Sequence, residues 1–124
     1  MMLEPSAVIL YVDNLIKSRQ FYKELLGIKP EELSPSFSQF TLSNGMRLGL
    51  KIKDTVEPPA LDTNSSGELA FTLDNSAMID ELFTVLQKKG ITITQPPTTV
   101  TFGYTFLALD PDGNRLRFVS LGKL

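Results

Sequence analysis

The sequence has no cysteine and no histidine. The first absence removes disulfides, zinc–thiolate sites and cysteine nucleophiles. The second removes the commonest general base and the commonest imidazole metal ligand. Any catalysis would fall to carboxylates, lysine, tyrosine or a bound cofactor. No run approaches the roughly 20 apolar residues that span a bilayer. The N-terminus lacks a basic segment followed by an apolar one, so no secretory signal is expected and a cytoplasmic location is the default. A strongly basic character is missing too: net charge is −2 and the sequence pI about 5.1. Nucleic acid is therefore not an expected partner, since phosphate contact needs a basic face. What remains is a chain of 124 residues, 42% hydrophobic and 21% charged. That suits one soluble domain with a substantial core.

The order of elements is read from periodicity and turn residues. Ala7–Val12 is a short apolar run with strand character. Asn14 suits a helix N-cap. Ser18, Phe21, Tyr22 and Leu25 recur at the spacing of one helix face, and Gly27 suits the helix end. Three strands are expected next, at Lys29–Ser34, Phe37–Leu42 and Arg47–Lys53, with Asn44-Gly45 as a hairpin turn in which both residues tolerate positive φ. Residues 54–66, with Pro58-Pro59 and Ser65-Ser66, read as a linker.

The pattern then restarts. Glu68–Leu73 is strand-like, and Asp74-Asn75 precedes a helix whose face is Ile79, Leu82, Phe83 and Leu86. Gly90 closes it, and strands are expected at Ile91–Gln95, Thr101–Leu109 and Arg115–Ser120. Asp110-Pro-Asp-Gly-Asn114 is turn chemistry. Asp13-Asn14 returns as Asp74-Asn75, and Phe21, Tyr22 and Leu25 as Leu82, Phe83 and Leu86, all 61 positions on. Gly45 returns as Gly113, 68 positions on, so the added length falls in the hairpin region, where insertion is cheap. A ferredoxin-like α+β sandwich without a repeat is the competing arrangement. The matched cap, helix face and turn favour a repeated unit. The fold class expected is α+β, with two βαβββ modules at about 5–53 and 67–122.

Several segments resemble the vicinal-oxygen-chelate superfamily of glyoxalase I, bleomycin-resistance proteins and extradiol dioxygenases. They are Tyr11-Val-Asp-Asn-Leu15, Ser18-Arg-Gln-Phe-Tyr22 with Leu25-Leu-Gly27, Glu68-Leu-Ala-Phe-Thr-Leu-Asp74 and Asp110-Pro-Asp-Gly-Asn114. The resemblance implies that the modules form a curved, cupped mixed sheet with the helices outside. The cup would hold a ligand and, in the enzymes, a divalent metal. It also places the four metal-ligand positions on the first and last strand of each module, here Ala7, Gly49, Glu68 and Arg117. Alanine and glycine offer no donor atom, and a guanidinium has no lone pair to give. One carboxylate cannot hold a metal that needs about three protein ligands. No metal and no cofactor is expected.

Alternation then puts Ile9 and Tyr11 beside Ala7, and Arg47 and Lys51 beside Gly49. Glu68 and Arg117 admit two compatible readings: a salt bridge in place of the metal, or a guanidinium that holds an anionic or planar ligand. Glu68 as a catalytic base would need a raised pKa, which a neighbouring arginine opposes. Phe37, Phe40, Phe102, Tyr104 and Phe106 divide between core packing and a ligand wall. Gly103 suits a bulge or a close approach to ligand. The candidate ligand-binding set is Glu68, Arg117, Arg47, Tyr11, Phe40 and Tyr104, with no catalytic residue assigned. The resemblance is nearest to the metal-free, bleomycin-resistance type. It implies sequestration of an aromatic or anionic antibiotic or metabolite by a homodimer. The alternatives are a lyase, isomerase or oxygenase-like enzyme with a non-standard site, and an interaction or regulatory domain without ligand chemistry.

Overall fold

A computed structural model describes residues 4–57 and 68–122. The chain divides into two compact units, Met1–Thr63 and Asn64–Leu124, each built as βαβββ. Unit one runs β1 (Ala7–Val12), α1 (Leu15–Leu26), β2 (Glu31–Ser34), β3 (Phe37–Thr41) and β4 (Arg47–Ile52). Unit two runs β5 (Glu68–Thr72), α2 (Ser76–Lys88), β6 (Ile93–Val100), β7 (Gly103–Leu109) and β8 (Arg115–Leu121). Each unit has its own mixed four-stranded sheet, in the orders β1-β4-β3-β2 and β5-β8-β7-β6. The first strand of each pairs in parallel with the last, and the remaining pairs are antiparallel.

The helix starts follow from the two asparagines. Asn14 accepts a hydrogen bond from the Lys17 backbone N–H at 3.0 Å, and Asn75 accepts one from Met78 at 3.0 Å. Each satisfies one of the orphan donors of a first helical turn. Gly27 ends α1 in the left-handed conformation, φ 70°. Ser18 and Tyr22 of α1 are buried, as are Ile79 and Leu86 of α2. Tyr22 packs on Phe40, which fixes the side of the first sheet that faces the helix. Val12, Ser38, Phe40, Leu48 and Leu50 are buried on that side. In unit two Phe71, Phe118 and Phe106 stack with centroids 4.9 and 4.8 Å apart, and Phe83 of α2 meets Phe106 edge-on at 5.5 Å.

Several boundaries differ from the sequence expectation for physical reasons. β2 starts at Glu31 rather than Lys29, because Pro30 has no N–H to pair. β6 does not stop at Gln95 but continues through Pro96-Pro97 to Val100. It is an edge strand whose register slips between Gln95 and Thr98, where missing donors cost nothing. Thr101-Phe102 is consequently the turn rather than the start of β7. In the β3–β4 hairpin only Gly45 takes positive φ, at 89°. Asn44 contributes through its side chain instead, accepting from the Met46 N–H at 2.9 Å. Gly103 makes its close approach to protein: a Cβ there would lie 2.2 Å from the Ser120 carbonyl oxygen. Of the expected linker, residues 54 and 55 belong to a 3-10 turn over Lys53–Thr55, while 58–66 lie outside the described residues. No helix among the described residues is long and apolar enough to cross a membrane.

Phe118 sits between two stacked rings and is 2% exposed. Phe118→Ala is expected to lower the unfolding free energy by about 3–5 kcal/mol, the usual cost of emptying such a site. Urea denaturation followed by circular dichroism measures it. A loss below about 1 kcal/mol would show that the stack is not the core of unit two.

Candidate functional site

In each unit the helix covers one face of the sheet, and pleat alternation sends every second side chain to the other. In unit one the register sets Ala7, Ile9 and Tyr11 against Arg47, Gly49 and Lys51. It sets Phe37, Gln39 and Thr41 against Lys51, Gly49 and Arg47. Ile9 and Tyr11 are about half exposed, 52% and 48%. The Phe37 ring lies over Gly49. A Cβ at Gly49 would meet that ring at 2.8 Å and Ile9 at 3.3 Å. The Lys51 ammonium stands 5.8 Å from the ring centroid and 3.4 Å from the Ser36 hydroxyl. Ile9, Tyr11, Ser36, Phe37 and Lys51 line a cleft of about 570 Å³ together with Thr55, Val56 and Glu57.

The corresponding face of unit two is dominated by charge. Arg117 donates to both carboxylate oxygens of Glu68, at 2.5 and 3.3 Å. It also donates to the Thr105 hydroxyl at 3.2 Å, and its guanidinium lies 5.6 Å from the Phe102 ring centroid. Thr105 in turn donates to the Phe118 carbonyl at 2.8 Å. Arg115 approaches the second Glu68 oxygen at 3.7 Å. The hydrogen bonds from Arg117 hold the Glu68 carboxyl below its ordinary pKa. Partial burial opposes them, and the charges of Arg117 and Arg115 add to the lowering. Beside this pair, Thr94, Gln95, Leu107, Leu109 and the two arginines line a second cleft of about 490 Å³.

The candidate residues therefore separate. Glu68 and Arg117 meet, and Tyr11 lines the first cleft. Arg47 is exposed, donates to the Ser6 hydroxyl at 3.5 Å, and lines neither cleft. Phe40 is not a ligand wall. It is fully buried against Tyr22, because it lies an odd number of residues from Phe37 and so points to the helix. Tyr104 also sits on the helix side, where its hydroxyl donates to Asp80 of α2 at 2.7 Å. That hydrogen bond, with burial and the aspartate charge, pushes its pKa up. Phe37, by contrast, lines the first cleft, and Phe102 lies beside the Arg117 guanidinium. Counting parity back from the Asn44-Gly45 turn would have separated Phe37 from Phe40. Phe102 is a turn residue, and no periodicity marks it.

The residues at the four positions that the resemblance assigns to metal ligands do not fit a divalent cation. Ala7 and Gly49 have no donor, the Gly49 position lies under the Phe37 ring, and the one carboxylate is clasped by a guanidinium. No group of three or more histidine, cysteine, aspartate or glutamate side chains able to hold a metal occurs among the described residues.

A family model described as the Glyoxalase/Bleomycin resistance protein/Dioxygenase superfamily matches residues 5–118. The chain is 30% identical over 120 residues to the phenazine antibiotic resistance protein of Enterobacter agglomerans, covering 94% of this chain and 92% of that protein. It is 29% identical over 114 residues to the trivalent organoarsenical cleaving enzyme of a Bacillus strain, covering 88% of this chain and 68% of that enzyme. A protein of Agrobacterium tumefaciens with a solution NMR structure is 50% identical, with a TM-score of 0.89 over 98% of this chain and 100% of that one.

The Glu68–Arg117 pair makes a signed prediction. A carboxyl whose folded pKa is depressed stabilises the fold above its unfolded pKa, and that contribution is lost as pH falls through the folded value. At pH 7, Glu68→Gln is expected to cost roughly 1 kcal/mol, modest because the carboxylate is partly in water. The difference from wild type should shrink as pH falls below the ordinary value of 4.5. Unfolding curves of both proteins between pH 7 and 3 provide the check. A difference that does not vary with pH would contradict the pairing.

Proposed function

The chain belongs to the Glyoxalase/Bleomycin resistance protein/Dioxygenase superfamily, and we propose that within it this protein binds and sequesters a small aromatic or anionic compound, of the antibiotic kind, without a metal. The observation that carries the proposal is the Glu68–Arg117 pair. Two of the four positions that resemblance assigns to metal ligands are joined to each other in a bidentate ion pair. The other two, Ala7 and Gly49, are mute. What the faces do offer suits capture rather than catalysis: aromatic rings, apolar side chains, and arginine and lysine for orientation. The similarity to a phenazine antibiotic resistance protein along nearly the whole chain supports the same reading.

The enzymatic alternative draws on the similarity to an organoarsenical cleaving enzyme. Trivalent arsenic is soft and is held by soft ligands, thiolates above all. This chain has no cysteine. Glu68 is a poor substitute base, because Arg117 lowers its pKa and occupies both its oxygens. A role as an interaction domain without ligand chemistry would leave the two clefts without a purpose.

Titration of the purified protein with a panel of phenazines, followed by tryptophan-independent thermal shift, tests the proposal. At least one compound is expected to raise Tm, by the same amount in excess EDTA and in added Zn²⁺ or Mn²⁺. Stabilisation that disappears in EDTA, or turnover of the bound compound that depends on Glu68, would contradict it.

A further inference from the structure

The two units treat their cations differently. In unit two, Arg117 carries its own counter-ion, Glu68. In unit one, no carboxylate among the described residues lies within 4 Å of the Lys51 ammonium. Its recorded partners are a neutral hydroxyl, Ser36, and an aromatic ring, Phe37. Glu57 lines the same cleft and makes no ion pair with it. Lys51 is half-buried. Partial removal of an ammonium from water, with no ion pair among the described residues, is unfavourable unless a ligand supplies the anion.

The neighbours of Lys51 say what else that ligand must carry. In the register, Lys51 stands directly between Tyr11 on β1 and Phe37 on β3. Adjacent strands lie about 4.8 Å apart, so the backbones that carry the two aromatics are roughly 10 Å apart across the sheet, with the strand of the cation between them. That width suits two or three fused rings. Phe37 can lie down because Gly49 has no side chain: a methyl there would sit 2.8 Å from the ring. Ile9 completes an apolar floor. The cleft is thus flat, aromatic at both ends and cationic in the middle.

We infer that unit one is the ligand-recognition half, and that the Phe37–Lys51–Tyr11 row takes a planar, fused-ring aromatic bearing one negative charge, such as a ring carboxylate. The rings lie along Phe37 and Tyr11, and the anionic group meets the Lys51 ammonium. Glu68 and Arg117 neutralise one another and position the second unit's face rather than select the charge. This inference rests on the metal-independent binding proposed above and adds the site and the ligand class.

The test uses the full chain and two probes, phenazine-1-carboxylate and uncharged phenazine, with affinity read by absorbance titration. Wild type is expected to bind the carboxylate more tightly than phenazine. Lys51→Met should weaken the carboxylate by about tenfold or more, the scale of a charged hydrogen bond, and leave phenazine unchanged. Phe37→Leu should weaken both probes. Lys17→Met on the exposed face of α1 removes the same charge elsewhere and should change neither. Equal carboxylate affinity in Lys51→Met and wild type would overturn the inference, as would a wild type that binds neither probe. Loss in Arg115→Gln instead of Lys51→Met would put the ligand on unit two. That outcome overturns the placement and leaves metal-independent binding standing. Thermal unfolding of Phe37→Leu separates lost binding from lost folding, and Lys51→Met alone suffices if that variant unfolds.

Discussion

Everything functional in this protein depends on the parallel pairing of the first strand of each unit with its last. The pleat allows each side chain one of two sides, and the β1–β4 and β5–β8 registers decide which ones share a side. A slip of one residue would send Leu48 and Leu50 out of the core and bring Arg47 and Lys51 into it. Such a slip is excluded by the helix side: Tyr22 on Phe40 in unit one, and Phe83 on the Phe106–Phe118–Phe71 stack in unit two. Core packing therefore does more than stabilise. It holds Ala7, Ile9, Tyr11, Gly49 and Lys51 on one surface, and Glu68, Arg115 and Arg117 on another.

The same backbone plan carries opposite chemistry in its two copies. At the last-strand position unit one has Gly49 and unit two has Arg117. Glycine leaves space, and an aromatic ring fills it. Arginine brings a charge, and Glu68 answers it. Neither Gly49 nor Arg117 offers a lone pair to a cation, and the Glu68 carboxylate is already engaged by Arg117. The first yields an apolar surface with Lys51 beside it, and the second a charged one in which Glu68 faces both Arg117 and Arg115. Arg117 is held from several directions, by Glu68, Thr105 and Phe102, which restricts the rotamers that a free arginine would sample.

Much of this was legible in the residues. Asn14 and Asn75 cap through short polar side chains, and Gly27 ends a helix by accepting positive φ, so the helix limits followed from local chemistry. The repeated cap and helix face announced two βαβββ units. The Glu68–Arg117 contact also followed, since both residues fall on adjoining strands with the same parity. Aromatic placement was harder. Phe37, Phe40, Phe102 and Tyr104 lie near strand ends and turns, where one residue of uncertainty reverses the face. β6 misled because prolines usually end strands, whereas on an edge with a slipped register they are tolerated. The role of Lys51 needed three strands side by side, and no local pattern encodes its place between Tyr11 and Phe37.

The central claim is that a divalent cation is held neither at Ala7 and Gly49 nor at Glu68 and Arg117. Paramagnetic relaxation tests it directly. Mn²⁺ is added to uniformly ¹⁵N-labelled protein, and amide signals are followed residue by residue. Only weak, non-saturating broadening near exposed carboxylates is predicted. Saturable broadening centred on the amides of residues 68 and 117, or on those of 7 and 49, would show a metal bound where the ion pair or the Phe37 ring should exclude one.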